Sequence, residues 1–172
     1  MQETDINLLE SKLPGFQAEF ASEVTAVSDF RGDLSVDVKP ARIKEIALFL
    51  KNKLQFDVLM DLFAMDYLKF DPPTPERFAV IYSFYSTTRK KRVRVKVYLS
   101  EEKPEIESLH KVYAMVNWFE REAWDLFGIT FQGHPHLERL LCHGDFEGHP
   151  LRKDYPSDQY QRLKTALPGA GL

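Results

Sequence analysis

The sequence predicts an α+β domain of two layers followed by an extended C-terminal arm. The layers are a mixed β-sheet and the helices that cover one of its faces, in the order α-β-β-α-β-β-β-α. Three observations carry this expectation. Apolar residues recur at helical spacing in some segments and alternate with period two in others, with Gly and Pro turns between them. The last three strand-like segments are joined by short connections, as neighbours in one sheet are. Beyond Gly128 sustained periodicity of either kind stops.

Thr4 or Asp5 is placed to cap a first helix in which Ile6, Leu9 and Leu13 share a face. Pro14-Gly15 breaks it, and Phe16 to Phe20 adds a turn. Val24 to Phe30 and Leu34 to Val38 read as strands joined by a hairpin turn at Arg31-Gly32-Asp33. Lys39-Pro40 opens a second helix, since Pro in a first turn sacrifices no hydrogen bond; Ile43, Ile46, Ala47 and Leu50 form its stripe. Phe56 to Tyr67, Phe78 to Ser86 and Arg92 to Leu99 read as strands, and Pro104 to Phe127 as one long helix. Residues 1–128 thus hold enough periodic apolar material for a core of their own. Residues 129–172 form the arm, whose Phe131, Leu137, Leu140, Leu141, Phe146, Leu151 and Tyr155 are too apolar for a solvated tail and call for a partner surface.

Composition narrows the function. A chain of 172 residues with net charge -3 has no global basic field, so no nucleic-acid partner is expected. Its single cysteine, Cys142, excludes an internal disulfide and any iron–sulfur cluster held by its own thiolates. The acidic start lacks a signal-peptide pattern, and no apolar run approaches the ~20 residues of a membrane span. No phosphate-cradling glycine loop or dinucleotide fingerprint occurs.

Three constellations remain. Arg92, Arg94 and Lys96 alternate with Val93, Val95 and Val97, next to Arg89, Lys90 and Lys91. The stripe reads as a solvated outer face that discourages edge pairing, as a nucleic-acid groove, or as a dock for an acidic protein. His134, His136, Cys142, His143 and His149 offer metal-ligand chemistry without the usual zinc spacing; Gly-His-Pro pieces also serve as turns. On the long helix Glu120 falls inside the stripe of Ile106, Leu109, Tyr113, Val116, Ala123 and Phe127, while Glu122 points roughly 200° away. Either Glu120 is buried and must meet a cation, with Arg139 and Arg152 as candidates, or the helix bends near Asn117 and frees it. Arg121 and Asp125 are spaced for an exposed i,i+4 pair.

The block Glu120-Arg121-Glu122-Ala123-Trp124-Asp125-Leu126-Phe127-Gly128-Ile129, then Phe131 and Gly133-His134-Pro135, resembles the signature of the C-subunit family of NADH-quinone oxidoreductase (respiratory complex I). The resemblance continues through Leu137, Arg139, Leu140 and Leu141 and through Gly148-His149-Pro150-Leu151-Arg152-Lys153-Asp154-Tyr155-Pro156. His136 and Glu138 depart from it, standing where an acidic and a basic residue are more usual.

The resemblance implies a peripheral-arm subunit that carries no cofactor and no active site. FMN, iron–sulfur clusters and quinone would belong to the assembled complex, with the quinone-site subunit and the terminal-cluster subunit as neighbours. It implies a place on the cytoplasmic face of the cell membrane, reached only through the complex. The same module in a membrane-bound hydrogenase or a non-NADH dehydrogenase is the nearest alternative, and a free-standing metal- or nucleic-acid-binding module is the alternative from a different class. The residues it marks for partner contact are Glu120, Arg121, Glu122, Asp125, His134, Arg139, His149, Arg152, Lys153, Asp154 and Tyr155.

Overall fold

A computed structural model describes residues 3–159 and Gln161. The end of the expected arm, Tyr160 and residues 162–172, lies outside the described residues. Helices α1 (Glu3–Lys12) and α2 (Phe16–Phe20) meet at Gly15, whose φ of 79° suits a residue without a side chain. Thr4 and Asp5 sit within the first turn of α1 rather than ahead of it. Strands β1 (Val24–Phe30) and β2 (Asp33–Val38) form a hairpin. Its central residues Arg31 and Gly32 both take positive φ, which matches the turn to the twist of the strands. Pro40–Arg42 makes a single 3-10 turn leading into α3 (Ile43–Asn52).

Strands β3 (Val58–Asp66), β4 (Phe78–Ser86) and β5 (Lys91–Leu99) complete a mixed five-stranded sheet in the order β1-β2-β5-β4-β3. Within this sheet only the β2–β5 pair is parallel. Period two decides the faces. Leu34, Val36 and Val38 of β2 and Val93, Val95 and Val97 of β5 point into the core, where Leu9, Leu13, Phe16, Ile43, Ile46 and Leu50 cover them from the helices. The opposite face carries Asp33, Ser35 and Asp37 beside Arg94 and Lys96. This is the two-layer α+β architecture expected.

The long helix is not formed as expected. Glu105–Glu107 is a strand, β6; turns follow, and α4 spans only Val116–Phe127. Two competitors defeat a helix over 104–115. The backbone of β6 pairs in parallel with β7 (Thr130–Gln132), and the Glu120 carboxylate accepts hydrogen bonds from the Leu109 N–H and the Ser108 hydroxyl, which fixes the preceding turn. The core therefore does not end at Gly128. Ile129 and Phe131 are buried in it, and β7 belongs to the domain.

Candidate functional site

The last four carbonyls of an α-helix have no partner within it. In α4 these belong to Trp124, Asp125, Leu126 and Phe127, and each finds a donor beyond the helix. Gly128 N–H donates to Trp124 O at 2.8 Å, His149 Nδ1 to Asp125 O at 2.9 Å, Leu151 N–H to Leu126 O at 3.1 Å, and Arg152 Nε to Phe127 O at 2.6 Å. The Gly148-His149-Pro150-Leu151-Arg152 motif is thus the C-cap of α4, with a guanidinium where the helix dipole favours positive charge. Gly128 takes φ 75° and lies so close that an added Cβ would stand 2.5 Å from Arg152 Nη2 and 2.6 Å from His149. Burial holds His149 below its ordinary pKa, so it caps as a neutral donor.

Asp125 organises the first half of the arm. Its side chain is fully buried, receives Arg139 Nη1 at 2.6 Å, and accepts the N–H groups of Leu140, Leu141 and Cys142 at 3.0, 2.8 and 2.9 Å. Burial alone would raise its pKa. The donors led by the Cys142 N–H and the Arg139 guanidinium outweigh burial and bring it to about 2. Arg139 also donates to Phe146 O and lies over the Trp124 and Phe146 rings. The expected Arg121–Asp125 pair is absent because Asp125 turns inward. Arg121 instead donates to Glu138 O and Arg139 O, both at 3.1 Å.

A second clasp holds the arm to the sheet. Buried Arg77, just ahead of β4, contacts Asp66 at 2.9 Å, Glu101 at 2.5 Å and Asp154 at 2.6 Å. Asp66 also accepts the Lys153 N–H at 2.8 Å, so two consecutive arm residues attach here while the Lys153 side chain stays exposed. These donors hold the Asp66 carboxyl below the usual range even though burial opposes them. Tyr155 stacks on Phe146 and accepts Gln161 Nε2 at 2.7 Å.

Glu120 is completely buried, as one of the two readings required, but it meets neither Arg139 nor Arg152; both serve other acceptors. Its oxygens accept the Ser108 hydroxyl at 2.5 Å and the Leu109 N–H at 2.7 Å. His134 Nε2 stands 3.9 Å away, yet it contacts Asn117 O at 3.2 Å while Nδ1 accepts the His136 N–H at 3.1 Å. That pattern assigns a neutral imidazole with its proton on Nε2. Burial accordingly pushes Glu120 up to about 7, the Ser108 and Leu109 donors offsetting only part of the shift. Glu122 is exposed beside Phe63, Leu126 and Leu151. Among the described residues no three His, Cys, Asp or Glu side chains converge as a metal-binding group.

Eight of the eleven marked residues therefore belong to the clamp that holds the arm; Glu120 and His134 lie together at a separate buried cluster with Ser108, and Glu122 is exposed. Sequence reasoning missed Asp66, Arg77 and Ser108. Asp66 was visible in principle, since it falls in the inward phase of Leu62 and Ala64, where a carboxylate needs a cation.

Residues 36–161 match the family model described as respiratory-chain NADH dehydrogenase, 30 Kd subunit. The chain belongs to that family. Relatives within it are named as the C subunit of NADH-quinone oxidoreductase. The one from Geotalea uraniireducens is 44% identical over 138 residues, covering 80% of this chain and 82% of the relative. That from Trichlorobacter lovleyi is 43% identical over 152 residues, covering 88% and 90%. The solved trypsin-resistant fragment of Nqo5 superimposes with a TM-score of 0.65 at 34% identity, covering 77% of this chain and 98% of the fragment. A chain of the membrane-bound sulfane sulfur reductase, an archaeal respiratory membrane complex, shares the fold with a TM-score of 0.69 at 18% identity, covering 96% of this chain and 98% of its own. The family makes this chain a subunit of an oxidoreductase complex that works with other subunits of complex I. Among the described residues no helix is long and apolar enough to cross a membrane.

Proposed function

We propose that the chain is a cofactor-free structural subunit of a proton-translocating NADH:quinone oxidoreductase. It shapes the region around the quinone site and the terminal iron–sulfur cluster, both held by partner subunits, on the cytoplasmic side of the membrane. FMN, the clusters and quinone belong to those partners, and electron transfer runs through them. One observation carries the reading: the family signature is spent on clamping an irregular arm to the end of α4 rather than on assembling reactive groups in a cleft. The clamp holds Leu141 and Leu151 outward, 63% and 50% exposed, and α4 presents Trp118 at 59%. Large apolar side chains held rigidly in water favour burial against another protein. The relatives' name supports the NADH-linked assembly over a hydrogenase or another dehydrogenase.

Leu141→Asp/Leu151→Asp in the assembled enzyme tests this. The exposed positions should leave the subunit folded, while its incorporation and NADH:quinone reduction fall together. NADH oxidation by an artificial acceptor should persist in the remaining flavoprotein portion. Normal incorporation and full quinone reduction would overturn the proposal.

A further inference from the structure

The parallel pairing of β2 with β5 puts two hairpin turns at the same end of the sheet. The Phe30–Asp33 turn enters β2 where the 86–91 turn enters β5. The arm's clasp at Asp66 and Arg77 lies at the other end, where β3 finishes and β4 begins. The 86–91 turn and the start of β5 are basic, whereas the Phe30–Asp33 turn carries Arg31 against Asp33. Arg31, Lys90, Lys91, Arg92 and Arg94 are all exposed there, in a chain whose net charge is -3.

The carboxylates nearby are largely engaged. Asp29 binds Lys12, Asp33 lies 3.8 Å from Arg94, and Asp57 caps Thr87 at 2.8 and 2.7 Å. Among the described residues Lys91 and Arg92 have no carboxylate within ion-pair distance, so their charge faces outward. The edge-protection reading also fails for them, because β5 lies between β2 and β4 and is not an edge strand.

Beneath the cations is a depression of about 300 Å³. Lys12, Lys90, Lys91 and Arg92 line it together with one carboxylate, Asp33, above buried Leu13, Leu34 and Phe56. Phe30 projects from the neighbouring turn, 71% exposed, with the Arg31 guanidinium 5.0 Å above its ring. Cations around an apolar floor complement carboxylates interspersed with apolar side chains.

We infer that this end of the sheet is a second docking surface, remote from the arm, for an acidic extended segment of a partner subunit whose apolar side chain fills the depression. The inference rests on the subunit reading above and gives the chain two attachment points, so that it bridges neighbours.

Amine-reactivity footprinting of the assembled complex against the isolated full chain tests it. Lys90 and Lys91 should become at least fivefold less reactive on assembly, and a zero-length carbodiimide should join them to Asp or Glu of another subunit. Lys90→Glu/Lys91→Glu/Arg92→Glu, at positions outside the core, should lower retention of the subunit tenfold or more at moderate salt. Unchanged lysine reactivity overturns the inference. Cross-links only to a second copy of this chain, or protection by anionic vesicles in place of a subunit, overturn it as well. If Lys90 and Lys91 stay reactive while the Leu141/Leu151 variant still loses assembly, only the second surface falls. If neither surface responds to assembly, the subunit reading falls too.

Discussion

Replacing Glu120 with Gln should change the pH dependence of stability more than stability itself. Gln keeps an oxygen for the Leu109 N–H and nearly the same volume, but it cannot ionise. In the parent, burial lifts the carboxyl from an ordinary 4.5 to about 7, so the folded state holds this proton more tightly than the unfolded state does. Stability from the group is therefore complete below pH 4.5, is lost as pH rises to about 7, and is flat above. At about 1.4 kcal/mol per decade, the parent loses on the order of 2.5 kcal/mol between pH 5 and pH 8 that the variant keeps. His134 and His149 pull the other way. Both are held below 6.5, so each adds stability as pH rises through 6.5 and withdraws it below. Both histidines remain in the variant, and the difference between the two proteins cancels their share apart from the coupling of His134 to Glu120. The assay is thermal melting of the full-length parent and Glu120→Gln from pH 5 to pH 8. The gap should widen in the variant's favour by roughly 5–10 °C across that range, at ~2–4 °C per kcal/mol for a chain of this size. A gap that does not change with pH would refute the reasoning, because Glu120 would then be ionised and compensated throughout.

The other expectations concern the clamp. Asp125→Asn strips charge from a buried pair that Arg139 cannot easily leave, and should cost about 3–5 kcal/mol in denaturant unfolding, whereas Glu122→Gln, at an exposed site, should stay within about 0.5. Gly128→Ala combines a positive φ with overlap on Arg152 and His149, and should cost about 2–3 kcal/mol and speed amide exchange at Leu151 and Arg152; a melt like the parent's would contradict the overlap. On acidification the Asp125 clasp should hold to about pH 4 and fail towards pH 2, because its depressed pKa contributes stability that is complete above 3.8 and lost as pH falls through about 2. Trp124 fluorescence follows this, since Arg139 lies over its ring; loss of the signal near pH 5 would argue against it.

What was legible in the sequence had a period. Alternation in Arg92 to Lys96 set the two faces of β5, and the spacing of Ile43, Ile46 and Leu50 set the inner face of α3. The stretch from Pro104 to Met115 misled for a physical reason. Ile106, Leu109, Tyr113 and Val116 are all buried and do fit a helical stripe, but they are buried from a strand and its following turns. A three-residue strand is too short to announce itself when its partner, Thr130–Gln132, lies beyond the intervening helix. The clamp was hidden for a related reason. Lys153 binds Asp66 through its main-chain N–H, and Leu140 to Cys142 bind Asp125 the same way, so side-chain identity carries no trace of those contacts.

This also explains why the arm lacks a period yet is not free chain. Periodicity arises when a segment satisfies its own backbone and presents one face to a core. From Arg139 to Asp154 the arm instead lends donors to another element's unsatisfied ends: the terminal carbonyls of α4, the Asp125 carboxylate and Asp66. Each demand falls at its own position in space, so the residues that meet them follow the contour of α4 and the sheet end rather than 2.0 or 3.6. The arrangement is mutual. Without the arm, α4 ends with uncapped carbonyls and a buried Asp125 without its cation. Without α4, Leu140 to Cys142 lose the acceptor for their backbone. An irregular segment held in this way keeps one shape while leaving Leu141 and Leu151 outward, as a surface that must fit fixed neighbours requires.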